Sequence, residues 1–263
     1  LTDYTGTIVR WEKRYNAGSW TTITNSAPTY SEIPSSAGTW GYRAVVKSGS
    51  CSEANSTEFS VTVDKASLSI TAADKNKGYD GLVYSPFSVI YTGFVNGETS
   101  TVLGGTLTFS GTATTATSAG TYVITPAGLT SSNYTITFFN GQLLINKAPL
   151  SITAADKSKV YDGLVFSPFT VTYSGFVNGE TSIVLGGSLT FTGTASTSTT
   201  PGTYAITPGG LTSTNYTLTF FNGQLIITKA NLTFTADNKS KVFQQPNPTL
   251  TYSITGFVNS EGP

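Results

Sequence analysis

The strongest constraint on this chain is that it repeats itself. KASLSITAADKNKGYDG begins at Lys65, KAPLSITAADKSKVYDG at Lys147 and a looser KANLTFTADNKSKVF at Lys229, so the three lysines stand 82 residues apart. Residues 65–146 and 147–228 align without a gap and are identical at roughly sixty positions. A fixed period of this size makes each copy one structural unit of a tandem array. The organisation that follows is an N-terminal domain over 1–64, full copies over 65–146 and 147–228, and a third copy over 229–263 that stops short. Each full copy is large enough for a core of its own.

Within the first copy, LSITA (68–72) alternates apolar and hydroxyl residues, as a half-buried strand does. A polar loop from Asp74 closes on the turn residues Tyr79-Asp80-Gly81. FSVIYTGF (87–94), LTFSGTA (107–113) and GTYVITP (120–126) read as further strands. The polar-then-apolar run Asn96–Leu103 fits one short helix ended by Gly104-Gly105. Finally NYTITFF and QLLIN flank Asn140-Gly141, a dipeptide that favours a two-residue hairpin turn. This order suggests a β-grasp-like domain.

The N-terminal domain reads as a small immunoglobulin-like sandwich lacking its first strand, with strands at 6–14, 20–24, 42–47 and 59–64. Trp11 falls in mid-strand and is expected to anchor the core, with an exposed sugar-stacking Trp as the alternative. The predicted class is therefore all-β, mainly strand with one short helix per repeat. At each joint one domain's last strand runs into Lys-Ala and the next strand with no Gly/Ser tether, as at Lys65-Ala66 and Lys147-Ala148. Such joints predict an extended, fairly stiff rod.

Formal net charge is zero and only 11% of residues are charged. No basic cluster is available to neutralise phosphates, which argues against nucleic acid. No apolar run approaches the length of a membrane span, so no membrane insertion is expected of this segment. Abundant Thr, Ser and Gly suit the hydroxyl-covered surface of a secreted β-protein. The chain opens at Leu1 without a signal-peptide pattern and is expected to be an internal piece of a longer protein.

The chain has no His, which removes the commonest general base, the Ser-His-Asp and Cys-His arrangements, and most zinc sites. Each copy carries three carboxylates, Asp74, Asp80 and Glu98 in the first. Asp80 and Glu98 could in principle form a glycosidic pair, but all three stand beside turn residues, where acids are ordinary. Asp74 with Asp80, and Asp156 with Asp162, could offer oxygens to calcium, yet the loops lack EF-hand spacing and carry lysines such as Lys75 and Lys77. The expectation is no enzyme, no cofactor, and no catalytic, cofactor-binding or metal residue.

The aromatics Tyr79, Tyr91, Phe94, Phe109, Tyr122, Tyr134, Phe138 and Phe139 recur in the second copy, and their alternation makes most of them core. Phe138 and Phe139 must point to opposite faces, so one faces away from the main core, with contact to a neighbouring domain favoured over a ligand. Cys51, alone in the chain, is either a buried free thiol or half of a disulfide whose partner lies upstream of Leu1.

The signature KAxLxITAxDKSKVYDG, YSGFVNGETSxVLGG and GTYxITPxGLTSxNYTxTFFNGQLxI resembles the MBG repeats of large bacterial surface adhesins, a family named for mucin binding and a β-grasp-like fold. The likeness covers 65–228 almost completely. Residues 229–263 resemble a variant with QPNP in place of the YDG turn. YTGTIVRWEKR and YRAVVKSGSC resemble Ig-like modules of giant Bacteroidota surface proteins, including SprB-type gliding adhesins. In those modules an upstream cysteine accompanies the one matching Cys51, which favours the disulfide. The resemblance implies export, through the type IX system, to the cell surface with outer-membrane attachment. It transfers no site residues. The expected function is a stalk segment of a filamentous adhesin, partnered by neighbouring domains of the same long chain and supporting adhesion and gliding. The alternative is a carbohydrate- or mucin-binding module acting through the avidity of its tandem copies.

Overall fold

In the N-terminal domain, strands β1 (Thr7–Tyr15), β2 (Thr21–Ile23), β3 (Gly38–Lys47), β4 (Ala54–Asn55) and β5 (Phe59–Val63) form one antiparallel sheet. The computed structural model describes residues 5–263; residues 1–4 of this domain lie outside them. At ten residues, β3 is long enough for β5 to pair with Gly38–Tyr42 and β4 with Val45–Val46, while β1 runs along its other edge. Because β3 gathers these strands edge to edge, the described residues form a single sheet where a two-layered sandwich was expected. The core anchor also differs. Trp40 is buried beside Ala44 and Val45, while Trp11 is only half-buried. Glu12 is buried and satisfied by Arg10 at 2.9 Å and Arg43 at 2.7 Å.

The first copy contributes β6 (Ala66–Ala72), β7 (Lys75–Gly78), β8 (Val89–Thr92), β9 (Gly104–Ser110), β10 (Gly120–Thr130), β11 (Tyr134–Phe139) and β12 (Gly141–Asn146). The second contributes β13 (Ala148–Ala154), β14 (Lys157–Val160), β15 (Val171–Ser174), β16 (Gly186–Thr192), β17 (Gly202–Thr212), β18 (Tyr216–Phe221) and β19 (Gly223–Thr228). In the third copy β20 (Thr233–Ala236) pairs antiparallel with β21 (Tyr252–Thr255). The chain forms two compact units whose boundary does not follow the repeat. Asn76–Val83 and Thr117–Gly120 of the first copy belong with the chain from Leu144 onward.

That second unit holds the second copy complete, as sheets ordered β15-β13-β18 and β14-β19-β17-β16. Both are mixed: β13 runs parallel to β18, and β14 parallel to β19. Side chains along β19 alternate, with Leu225 and Ile227 buried and Ile226 turned outward, as the two-residue strand period requires. Ile206, Leu225 and Ala195 form one core with Phe169, Phe191 and Tyr204. In the first unit β6 is flanked by parallel β11 and antiparallel β8. Leu68, Ile70 and Tyr134 are buried there among Tyr91, Phe94 and Leu129.

The all-β class holds, and two local expectations do not. The run Asn96–Leu103 is no α-helix; it contains a single three-residue 3₁₀ turn, Ser100–Val102. Asn96 and Gly97 both have positive φ, which no right-handed helix accepts, and Thr99, Thr101 and Val102 are β-branched. Asn140-Gly141 makes no hairpin: β11 lies beside β6 in one sheet, and β12 belongs to another. Neither residue has positive φ, and in the second copy a Cβ on Gly223 would lie 2.6 Å from the Ala154 carbonyl oxygen. The glycine serves close backbone approach as the chain crosses between sheets.

Candidate functional site

The acids named from sequence are all in use. Asp156 Oδ1 accepts the Gln224 backbone N–H at 2.8 Å, and Asp74 accepts that of Gln142 at 2.7 Å. Asp162 accepts the Leu164 N–H at 2.9 Å and pairs with Lys159; Asp80 does the same with Leu82 and Lys77. The lysine holds each of these two carboxyls below the usual carboxylate range. Lys77, expected to repel a cation from this loop, is thus the loop's own counter-ion, as is Lys159 in the second copy.

Each of these loops carries a tyrosine, Tyr79 in the first copy and Tyr161 in the second. Gly81 takes φ +75° at the turn, and Tyr79 is fixed by its N–H donating to the Asn146 carbonyl at 2.8 Å. The Tyr79 ring meets Tyr216 edge-on at 5.5 Å, and its hydroxyl donates to Glu180 Oε1 at 2.6 Å. Tyr216 donates its own hydroxyl to Glu180 Oε2, and its oxygen accepts the Val177 N–H at 3.1 Å. One carboxylate of the second copy therefore ties together a tyrosine from each copy. Beside it the Ala119 N–H donates to Asn215 Oδ1 at 3.0 Å. Burial, reinforced by the Glu180 carboxylate, pushes the Tyr79 phenol up to about 12, so it remains a donor through neutral pH.

The cluster recurs. Tyr161 donates to Glu261, and Gly163, with φ +73°, packs against the Asn259 amide. In the first unit the Ala37 N–H donates to Asn133 Oδ1 at 3.1 Å, and Glu98 accepts the Tyr134 hydroxyl. Ala37 and Ala119 are 82 residues apart, as are Asn133 and Asn215. The register Gly38↔Val63 also recurs two periods later as Gly202↔Ile227. The period thus reaches back into the N-terminal domain. Sequence reasoning read Glu98 as an ordinary turn acid, without its tyrosine partner, and did not single out Glu180, Asn133 or Asn215; the available signal was Glu261, kept in the third copy although the YDG turn is not.

Other named residues fall elsewhere. Phe138 packs into the core while Phe139 stays 49% exposed, and Phe221 matches it at 49%, so neither is covered by a neighbouring domain as expected. Cys51 is exposed, which overturns its reading as a buried thiol. Trp11 donates its indole N–H to the Ala27 carbonyl at 3.0 Å and keeps part of its ring open.

Comparison with known families matches residues 68–144, 150–226 and 232–263 to the MBG domain (YGX type). Residues 1–65 match a Domain of unknown function (DUF8696). No curated protein matches the chain.

Proposed function

The chain belongs to the MBG domain family of YGX type, and from that premise we propose that it is a stalk segment of a large filamentous bacterial adhesin. In this role it stands outside the cell on an outer-membrane-attached protein of the SprB-type gliding class, exported by the type IX route. Its partners are neighbouring domains of its own long chain. The observation that carries this is the Tyr79–Glu180–Tyr216 cluster, in which one copy completes the hydrogen bonding of the next. Joints of this kind transmit pull between copies, whereas a flexible tether would not. The role is non-enzymatic: the repeat carboxylates hold lysines, backbone amides and tyrosine hydroxyls. Mucin binding by the copies themselves is the weaker reading, because Phe139 and Phe221 each stand on an outer sheet face amid hydroxyls such as Thr137 and Thr219.

Pulsed electron-resonance distances between spin labels at the exposed positions Leu144, in the first copy, and Thr217, in the second, in a Cys51→Ser background, test the joint. A single narrow distribution is expected, broadened by combining Tyr79→Phe with Glu180→Gln. A broad distribution in the parent would overturn the stalk.

A further inference from the structure

We propose that the N-terminal domain carries a binding groove for a neutral glycan, stacked on Trp11, Tyr30 and Tyr42. This goes beyond the stalk role and involves a different domain. The groove encloses about 440 Å³, within the range of small-ligand sites. Its rings form a continuous series, with Trp11 and Tyr30 centroids 6.2 Å apart at 29° and Tyr30 and Tyr42 at 6.3 Å. Phe59 stands on the wall, 69% exposed. Aromatic faces of this kind suit the apolar C–H face of a pyranose.

Glu32 fixes the rings in place. It accepts from the Tyr30 hydroxyl at 2.6 Å, the Tyr42 hydroxyl at 2.7 Å and Lys13 at 2.7 Å. Burial alone would raise its carboxyl, but these donors outweigh that and hold it below the usual range. With both phenol protons committed to Glu32, the phenol oxygens are left as acceptors for sugar hydroxyls, and Ser31 and Thr57 add hydroxyls at the edge. The groove's charges are already paired. Lys13 is on Glu32, and Arg43 reaches Glu12 at 2.7 Å while stacking 4.2 Å from the Trp20 ring. An anionic sugar would have to break one of these pairs; a neutral one would not. Because Glu32 holds Tyr30 and Tyr42 before binding, little ordering cost remains.

The test is calorimetric titration of the 263-residue chain with neutral cello-, manno- and xylo-oligosaccharides, and separately with sialyllactose and heparin fragments. Saturable binding to at least one neutral series is expected, insensitive to salt and weakened about tenfold or more by Trp11→Ala. Since Trp11 also holds the Ala27 carbonyl, Phe59→Ala serves as a second variant, with folding checked by circular dichroism; it should weaken binding severalfold. No heat at millimolar neutral sugar, binding confined to the acidic probes, or binding indifferent to both variants would each overturn the proposal. The spin-label distances report on the stalk independently of all three.

Discussion

Replacing Tyr79 with Phe deletes one oxygen and leaves the ring against Tyr216, so it isolates the hydroxyl's bond to Glu180. Tyr79 is only 6% exposed, so water has little access to take the hydroxyl's place. A hydrogen bond to a charged group contributes about 1.5–3 kcal/mol net. Glu180 keeps the Tyr216 hydroxyl after the change, so the loss should fall at the low end of that range, about 1.5 kcal/mol. Glu180→Gln leaves a neutral acceptor in place, and a double-mutant cycle then reads the charge-assisted share, about 1 kcal/mol of coupling. Urea unfolding of the 263-residue chain provides the assay. Because the two residues belong to different copies, the substitution should also broaden the transition as neighbouring copies uncouple. A cost within about 0.5 kcal/mol of zero, or an equal cost in the Glu180→Gln background, would refute the reasoning.

The same phenol predicts an alkaline limit. Its proton is held from an ordinary 10.0 up to about 12, so its contribution is complete below pH 10.0 and is lost as pH rises toward 12. The urea-midpoint gap between parent and Tyr79→Phe should close over that window; a constant gap would count against it. Gly223→Ala should cost about 1–3 kcal/mol, because the new Cβ would sit 2.6 Å from the Ala154 carbonyl oxygen. Thermal unfolding would check this, and an unchanged midpoint would show that the sheet crossing has slack.

Sequence made the period and most strands legible because both rest on local alternation. Where it failed, a tertiary demand overrode a local signal. The first copy has Asn-Gly at 96–97 and at 140–141. The first takes positive φ at both residues, closed by the Glu98 N–H on the Val95 carbonyl, as a type I′ turn requires. The second, though set between two strand runs, is extended and packed under Ala72. Dipeptide chemistry could not tell them apart, since the parallel pairing of β11 with β6 decides the matter at long range. The role of Glu98 was equally illegible: its partner Tyr134 lies 36 residues away, and the matching Glu180 also draws a tyrosine from the preceding copy. Trp11 and Trp40 differ in burial for a similar reason, because only the pairing of β3 with β1, β4 and β5 shows which ring is enclosed.

A copy that offers its tyrosine to the copy after it and its glutamate to the copy before it is a directional building block. An exchange between near-identical genes' segments in whole 82-residue steps would add or delete copies while leaving every tyrosine opposite a glutamate. Length can then vary without new joints having to be invented. The third copy departs from this rule: Phe243 stands where Tyr161 stands one period earlier. Phe has no hydroxyl to offer, so a successor's glutamate would lose its cross-copy donor there, and the array acquires a position at which its own grammar changes.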